Sequence, residues 1–356
     1  MYVFAKGVVV VPSATSWTGP WLGATRATSL QRVANRPIVC HVLDALLEAG
    51  VVDAAIVAPS DVAAELFECV RSEGPAGIAV RHIVHDQLAE SDDALLAVAE
   101  FVGDASCILH RADGLLGQPI LEPVEQLGGQ VRDAILLVSG GTPEARRLRL
   151  VPLHHVAGGD TGSTLAPFGV AGACLLRPGV LRRLPNLGRS AQLLDFAAIA
   201  EQVACDGGST QAWVAQRWQH FDGDALDLLD MNRAILDRLA SDAFANPGDG
   251  NRFEGHIAIH PTARVASSVI IGPVIIGADA LVSDSYIGPH TAIAERVRIE
   301  GSELERSIVL ADASVLHVGG RLVASIVGCH ARIFRDFSMP RAMRLQVGDG
   351  DEVALC

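Results

Sequence analysis

Histidine and cysteine are the side chains best able to hold a metal or attack an electrophile, and their spacing here supports neither use. His154 and His155 are adjacent and His82 and His85 are three apart, with no cysteine partner and no helical i,i+4 repeat with a glutamate. His256, His260 and His290 fall among turn residues, where polar side chains are expected anyway. The seven cysteines (Cys40, Cys69, Cys107, Cys174, Cys205, Cys329 and Cys356) are scattered without a CxxC pair, five of them among apolar neighbours. They read as reduced, mostly buried thiols. Lys6 is the only lysine, so a compact ammonium for a phosphate exists at one position. Arginine's planar fork is not its geometric equivalent. A net charge of −13 argues against general nucleic-acid binding, which relies on clustered Lys and Arg.

With 49% hydrophobic and 19% charged residues over 356 positions, the chain can bury a large core and carry a second, smaller unit. Up to about residue 240, short β-branched runs alternate with longer amphipathic stretches, the pattern of βα units around a mostly parallel sheet. Strands are predicted at Val8–Val11, Ala54–Val57, Ile78–Ile83, Ser106–Leu109, Ala134–Val138 and Ala171–Leu176. Helices are predicted at Pro37–Ala49, closed by Gly50, and at Ser60–Val70 and Asp92–Val102, each opened by a capping-type residue. The polar stretch Asn246–Arg252 breaks this rhythm. Beyond it Ile259, Val265 and Ile271 are six apart, as are Ile287, Ile293 and Ile299, with five-residue slips at Ile276 and Ile287. Such hexads belong to parallel β-helices. The predicted units are an α/β domain over 1–245 and a β-helix with a C-terminal tail over 253–356. No apolar run reaches the roughly 18 residues of a membrane span, and the N-terminus lacks a signal-peptide cleavage site, so a cytoplasmic protein is expected.

An α/β domain carrying VANRPIVCHVLDALLEAGV near its start and followed by a hexad β-helix resembles the sugar-1-phosphate nucleotidyltransferases, in particular the long-form glucose-1-phosphate thymidylyltransferases. Val33–Pro37 matches the family's P-V-x-N-K-P turn into its first helix. The segment SIVLADASVLHVGGRLVASIVGCHARI, running on to RLQVGDGDEV, is similar to the streptomycin-pathway type. The resemblance implies a Rossmann-like nucleotidyltransferase domain followed by a left-handed β-helix. In that family a sugar phosphate attacks the α-phosphate of a nucleotide and pyrophosphate leaves. Catalysis rests on positioning and charge neutralisation by a glycine-rich loop, an arginine, a lysine and magnesium-binding aspartates.

Carried over position by position, most of those groups are replaced. Where the family has G-G-x-G-T-R, this chain has Ser13, Ala14, Thr15, Ser16, Trp17 and Thr18, so Thr18 stands in place of the arginine. Side chains at positions needing close backbone approach obstruct a phosphate. Thr28 stands in place of the lysine; Arg26, two residues earlier, is either a phosphate contact or a surface arginine. Ser13, Ala14, Arg26 and Gly172, the last within FGVAGACLL, are the nucleotide- or sugar-binding candidates. Asp113, in Arg111–Gly114 where the family has L-G-D-N, is the first candidate magnesium ligand, or else caps its turn. The second family aspartate falls on Phe221, and Asp222 or Asp224 restores a carboxylate with a small slip. Glu90, Asp92 and Asp93 repel a triphosphate at short range.

Two readings follow. One is a catalytically silent family member acting as a binding, regulatory or partner subunit, requiring no cofactor. The other is an active thymidylyltransferase-type enzyme with an atypical phosphate loop, using magnesium. Trp17 or Trp21 is expected to fill part of the cleft at the strand ends. Residues 253–345, with Phe334, Phe337, Met339 and Met343 among arginines, are expected either to cap their own β-helix or to form the assembly surface of a homo-oligomer or of a hetero-oligomer with a paralogue. A sugar nucleotide is a further candidate ligand.

Overall fold

The computed structural model describes residues 4–12, 27–85, 92–126, 132–140, 150–151, 169–183, 195–215, 217–221, 223–239 and 250–336. Its first part is built on an eight-stranded sheet. In chain order the strands of this part are β1 (Lys6–Val10), the hairpin strands β2 (Arg32–Val33) and β3 (Arg36–Pro37), β4 (Asp53–Pro59), β5 (Ala79–His85), β6 (Cys107–Arg111), β7 (Gly114–Leu116), β8 (Ala134–Ser139), β9 (Leu150–Val151), β10 (Gly169–Leu176), β11 (Thr210–Val214) and β12 (Trp218–His220). The large sheet runs β5-β4-β1-β6-β10-β8-β11-β9. Its β5, β4, β1 and β6 are parallel neighbours, while β10 lies antiparallel between β6 and β8. The expected mostly parallel α/β architecture is therefore present.

Period-two alternation sends successive side chains of β1 to opposite faces, Val9 into one core and Val8 and Val10 into the other. The first core is covered by α1 (Ile38–Glu48), α2 (Ser60–Glu73) and the helix Ala225–Leu236. The second is covered by α3 (Asp92–Val102) and the helix Phe196–Cys205. Helix α1 closes as expected: Gly50 takes φ +82°, a region that suits glycine, and its amide bonds back to Leu47. At the start of α2 the expectation needs correction, because Pro59 rather than Ser60 occupies the cap and no side chain caps it.

From Arg252 onward the chain winds into three five-stranded parallel sheets, a parallel β-helix. Val265 pairs with Val282 and Val282 with Ile299, so these coils take 17 residues, one fewer than three hexads. That shortfall is the physical origin of the five-residue slips in the sequence. Asp279, Asp284, His290 and Asp312 turn the corners at left-handed φ, a conformation their short polar or imidazole side chains tolerate. The predicted boundary near residues 245–253 falls mostly outside the described residues, as do Phe337, Met339 and Met343. Phe334 and Val323, in the last coil, are exposed.

The α/β part and the β-helix are clasped by the Val33–Pro37 turn. Ala34 and Asn35 both take left-handed φ between the paired residues Val33 and Arg36. Asn35 Nδ2 donates to the Ile293 carbonyl at 2.7 Å. Fully buried Asn232 accepts from the Ala34 amide at 2.8 Å and donates to the His290 carbonyl at 3.0 Å. The motif that resembles the family thus acts here as a joint. Asn232→Ala leaves a buried amide and a carbonyl unpaired, each costing about 1–3 kcal/mol, so a loss of roughly 2–4 kcal/mol is expected. An unchanged urea midpoint for this variant would sink the assignment.

Candidate functional site

The site is built where β6 turns into β7 and β12 pairs back against it. The Ala112 amide is anchored on the Val10 carbonyl at 2.9 Å, which fixes Asp113 beyond the end of β6. Strand β12 runs antiparallel to β7, with Trp218 opposite Leu116 and His220 opposite Gly114. Alternation along β12 puts Trp218 and His220 on one face, their rings 6.4 Å apart at 21°. Phe221 follows on the other side, its amide bonded to the Asp113 carbonyl and its ring buried in the first core.

Asp113 is almost completely buried and its carboxylate is taken by neighbours within the chain. Arg111 Nε donates to Oδ1 at 3.1 Å and its Nη2 donates to Oδ2. His220 Nε2 donates to Oδ2 at 3.1 Å. Burial alone raises the carboxyl pKa, but the hydrogen bonds from His220 and Arg111 outweigh it and hold the value below the usual aspartate range. The group is an ionised carboxylate with its charge balanced internally. Beneath it His110 is buried, with Nδ1 donating to the Arg111 carbonyl at 2.7 Å. Burial pushes its pKa down to about 4, so it is a neutral imidazole at pH 7.

The indole of Trp218 fills the adjoining space. Gly172 sits at the register shift of β10 with φ +59°, and a Cβ placed on it would lie 2.0 Å from the Trp218 ring. A Cβ on Gly114 would lie 2.5 Å from the same ring. Both glycines are needed because the indole lies against their backbones. The His110 ring is 6.1 Å away at 60°, completing an enclosure of His110, Trp218 and His220 around the Arg111–Asp113 pair.

Of the residues singled out from sequence, the structure brings together Asp113 and Gly172. The Phe221 side chain does not face the site: its backbone bonds to Asp113 but its ring is core, while His220, opposite Gly114, brings its imidazole to the Asp113 carboxylate. Asp224 caps the helix Ala225–Leu236, its Oδ1 accepting from Leu226 N at 3.0 Å. Thr28 opens a single 3₁₀ turn and is half-buried. Ser13, Ala14, Trp17, Thr18, Trp21, Arg26, Glu90 and Asp222 lie outside the described residues. Arg111, His110, Trp218 and His220 were not singled out as site residues. The available signals were the Arg-x-Asp spacing and the Trp-x-His alternation, which on strands place both members of each pair on one face.

The Asp113 carboxylate that magnesium would share is held by a guanidinium and an imidazole, and Asp222, the other carboxylate the resemblance offers, lies outside the described residues. Among the described residues no group of three or more His, Cys, Asp or Glu side chains lies together as a metal site.

The chain thus combines a βα sheet, a candidate site beyond the ends of β1 and β6, and an appended β-helix. No family model matches the chain. Over 348 residues it is 25% identical to a glucose-1-phosphate thymidylyltransferase of Streptomyces antibioticus, covering 93% of this chain and 94% of that protein. It is 26% identical over 336 residues to the enzyme of the same name from Streptomyces griseus, covering 91% and 92%. The low-salt glycan biosynthesis nucleotidyltransferase Agl11 of Haloferax volcanii is 24% identical over 365 residues, covering 98% and 100%. The crystal structure of a proposed glucose-1-phosphate thymidylyltransferase from Bacillus anthracis, in complex with sucrose, shares the fold with a TM-score of 0.52 at 18% identity, over 67% of this chain and 98% of that one. The chain is thus similar over nearly its whole length to sugar-1-phosphate nucleotidyltransferases. Among the described residues no helix is long and apolar enough to cross a membrane.

Proposed function

We propose that this chain is a catalytically silent sugar nucleotidyltransferase-like protein that serves in the cytoplasm as a binding, regulatory or partner subunit. The observation that carries the reading is the internal capture of Asp113 by Arg111 and His220, with the Trp218 indole laid on Gly172. A carboxylate neutralised by its own chain has little left to offer a phosphate-bound cation, and an indole over the cleft glycine excludes a sugar ring. Thr18 and Thr28 add to this, standing where the resemblance calls for arginine and lysine. Losing one charge-stabilising donor typically lowers a rate by about 10²–10³, and several such losses act on the same transition state. Such a chain retains its surfaces, including a β-helix suited to a homo-oligomer or to a hetero-oligomer with an active paralogue.

The test is pyrophosphate release from magnesium, dTTP or UTP, and glucose-1-phosphate. Release at the no-enzyme level is expected. Steady turnover that disappears in Asp113→Asn would replace this reading with that of an active enzyme.

A further inference from the structure

Away from the cleft, one corner of the β-helix is open. Successive coils turn it with Ser267, Asp284, Gly301 and His317, all at left-handed φ. Two residues span the corner in the middle coils, Asp284 and Ser285 between Ser283 and Tyr286, then Gly301 and Ser302 between Glu300 and Glu303. In the next coil four residues, His317, Val318, Gly319 and Gly320, separate Leu316 from Arg321. The longer turn borders a groove of about 490 Å³, within the roughly 300–1,000 Å³ of small-molecule sites.

The floor of the groove is fixed by buried serines. Ser285 Oγ accepts from Ser302 N at 3.3 Å and donates to the Ser283 carbonyl at 2.6 Å. Ser302 Oγ accepts from Val318 N at 3.2 Å and donates to the Glu300 carbonyl at 2.9 Å. One wall is a ladder across neighbouring coils, with Tyr286 opposite Glu303 and Glu303 opposite Arg321. Arg321 reaches back along it, its guanidinium 4.5 Å from the Tyr286 ring centre, with Nε donating to Glu303 at 3.0 Å and Nη1 to Glu305 at 3.1 Å. These bonds hold the guanidinium in place and leave Nη2 without a partner among the described residues. The exposed Asp284 carboxylate has none among them either.

An ionised carboxylate only accepts and a guanidinium nitrogen only donates, whereas a hydroxyl does both. A polyhydroxyl ligand therefore satisfies the two groups together. The lining carries two carboxylates, Asp284 and Glu303, against the one guanidinium, so a phosphate is repelled. Tyr286 and Val318 supply apolar surface for the C–H groups of a ring. We propose that this groove binds a neutral saccharide, with hydroxyls on Asp284 and Arg321 Nη2 and a sugar ring against Tyr286 and Val318. The site lies on the β-helix and stands whether or not the cleft is active.

The chain has two tyrosines, Tyr2 and Tyr286, so ring-labelled tyrosine in the full chain gives an NMR signal from inside the groove, assigned with Tyr286→Phe. A saturable shift of the Tyr286 signal is expected with at least one of maltose, cellobiose and lactose, and none with inorganic phosphate. Asp284→Asn keeps a side chain that tolerates left-handed φ and should weaken that binding by about tenfold, the effect of exchanging a charged acceptor for a neutral one. The wild-type titration decides the matter even if that variant fails to fold. No Tyr286 shift with any of the disaccharides overturns the proposal. So does a saturable shift with phosphate, or saccharide binding of equal strength in folded Asp284→Asn.

Discussion

Gly172→Ala is expected to destabilise the protein by roughly 2–4 kcal/mol, the sum of overpacking a filled site and of forcing an L-residue into left-handed φ. The methyl group would stand 2.0 Å from the Trp218 ring, and the ring has little room to retreat because His110 and His220 lie beside it. The same substitution in a Trp218→Ala background should cost only about 1 kcal/mol, the part that belongs to the backbone conformation. Urea midpoints of the four proteins close the cycle. Equal costs in the two backgrounds would mean that the indole does not occupy the space over Gly172, and the silent-site reading would lose its steric half.

The second large effect is an acid loss of stability traced to His110. Its folded pKa is about 4, below the ordinary 6.5, because burial disfavours the imidazolium. The unfolded chain therefore binds a proton first as the pH falls. Stability is full above pH 6.5, declines as the pH drops below it, and levels off near pH 4, with a total of about 3 kcal/mol from this group. Replacing His110 with Gln should remove most of that slope while leaving the part due to buried His41, whose pKa burial also lowers. Asp113 acts in a different window. Its pKa is depressed below 3.8, so the stability it confers is lost only as the pH falls past that value toward its folded pKa. Identical pH dependence in wild type and His110→Gln between pH 7 and pH 4.5 would contradict the buried neutral assignment.

Local rules determined much of this protein from the sequence alone. The helix Ile38–Glu48 and its Gly50 stop follow from a 3.6-residue apolar stripe and a residue that accepts positive φ. The β-helix follows from aliphatics repeating at nearly six residues, and the retained Val33–Pro37 turn follows from short-range backbone preferences. Ser13–Thr18 and Thr28, standing where the resemblance implies glycines, an arginine and a lysine, were read from the sequence one position at a time. What faces Asp113 was decided only by tertiary structure. Counting along the chain put Phe221 on the second family aspartate; its backbone does bond to Asp113, but alternation along β12 turns its ring into the core and the His220 imidazole to the carboxylate. The pairing of β12 with β7 joins residues about a hundred positions apart. The same non-local packing sends Phe221 into the core, brings His220 and Arg111 to one carboxylate, and lays Trp218 on Gly172. None of those contacts is encoded in the spacing of the residues that make them; each exists because two elements distant in sequence bury their apolar faces together.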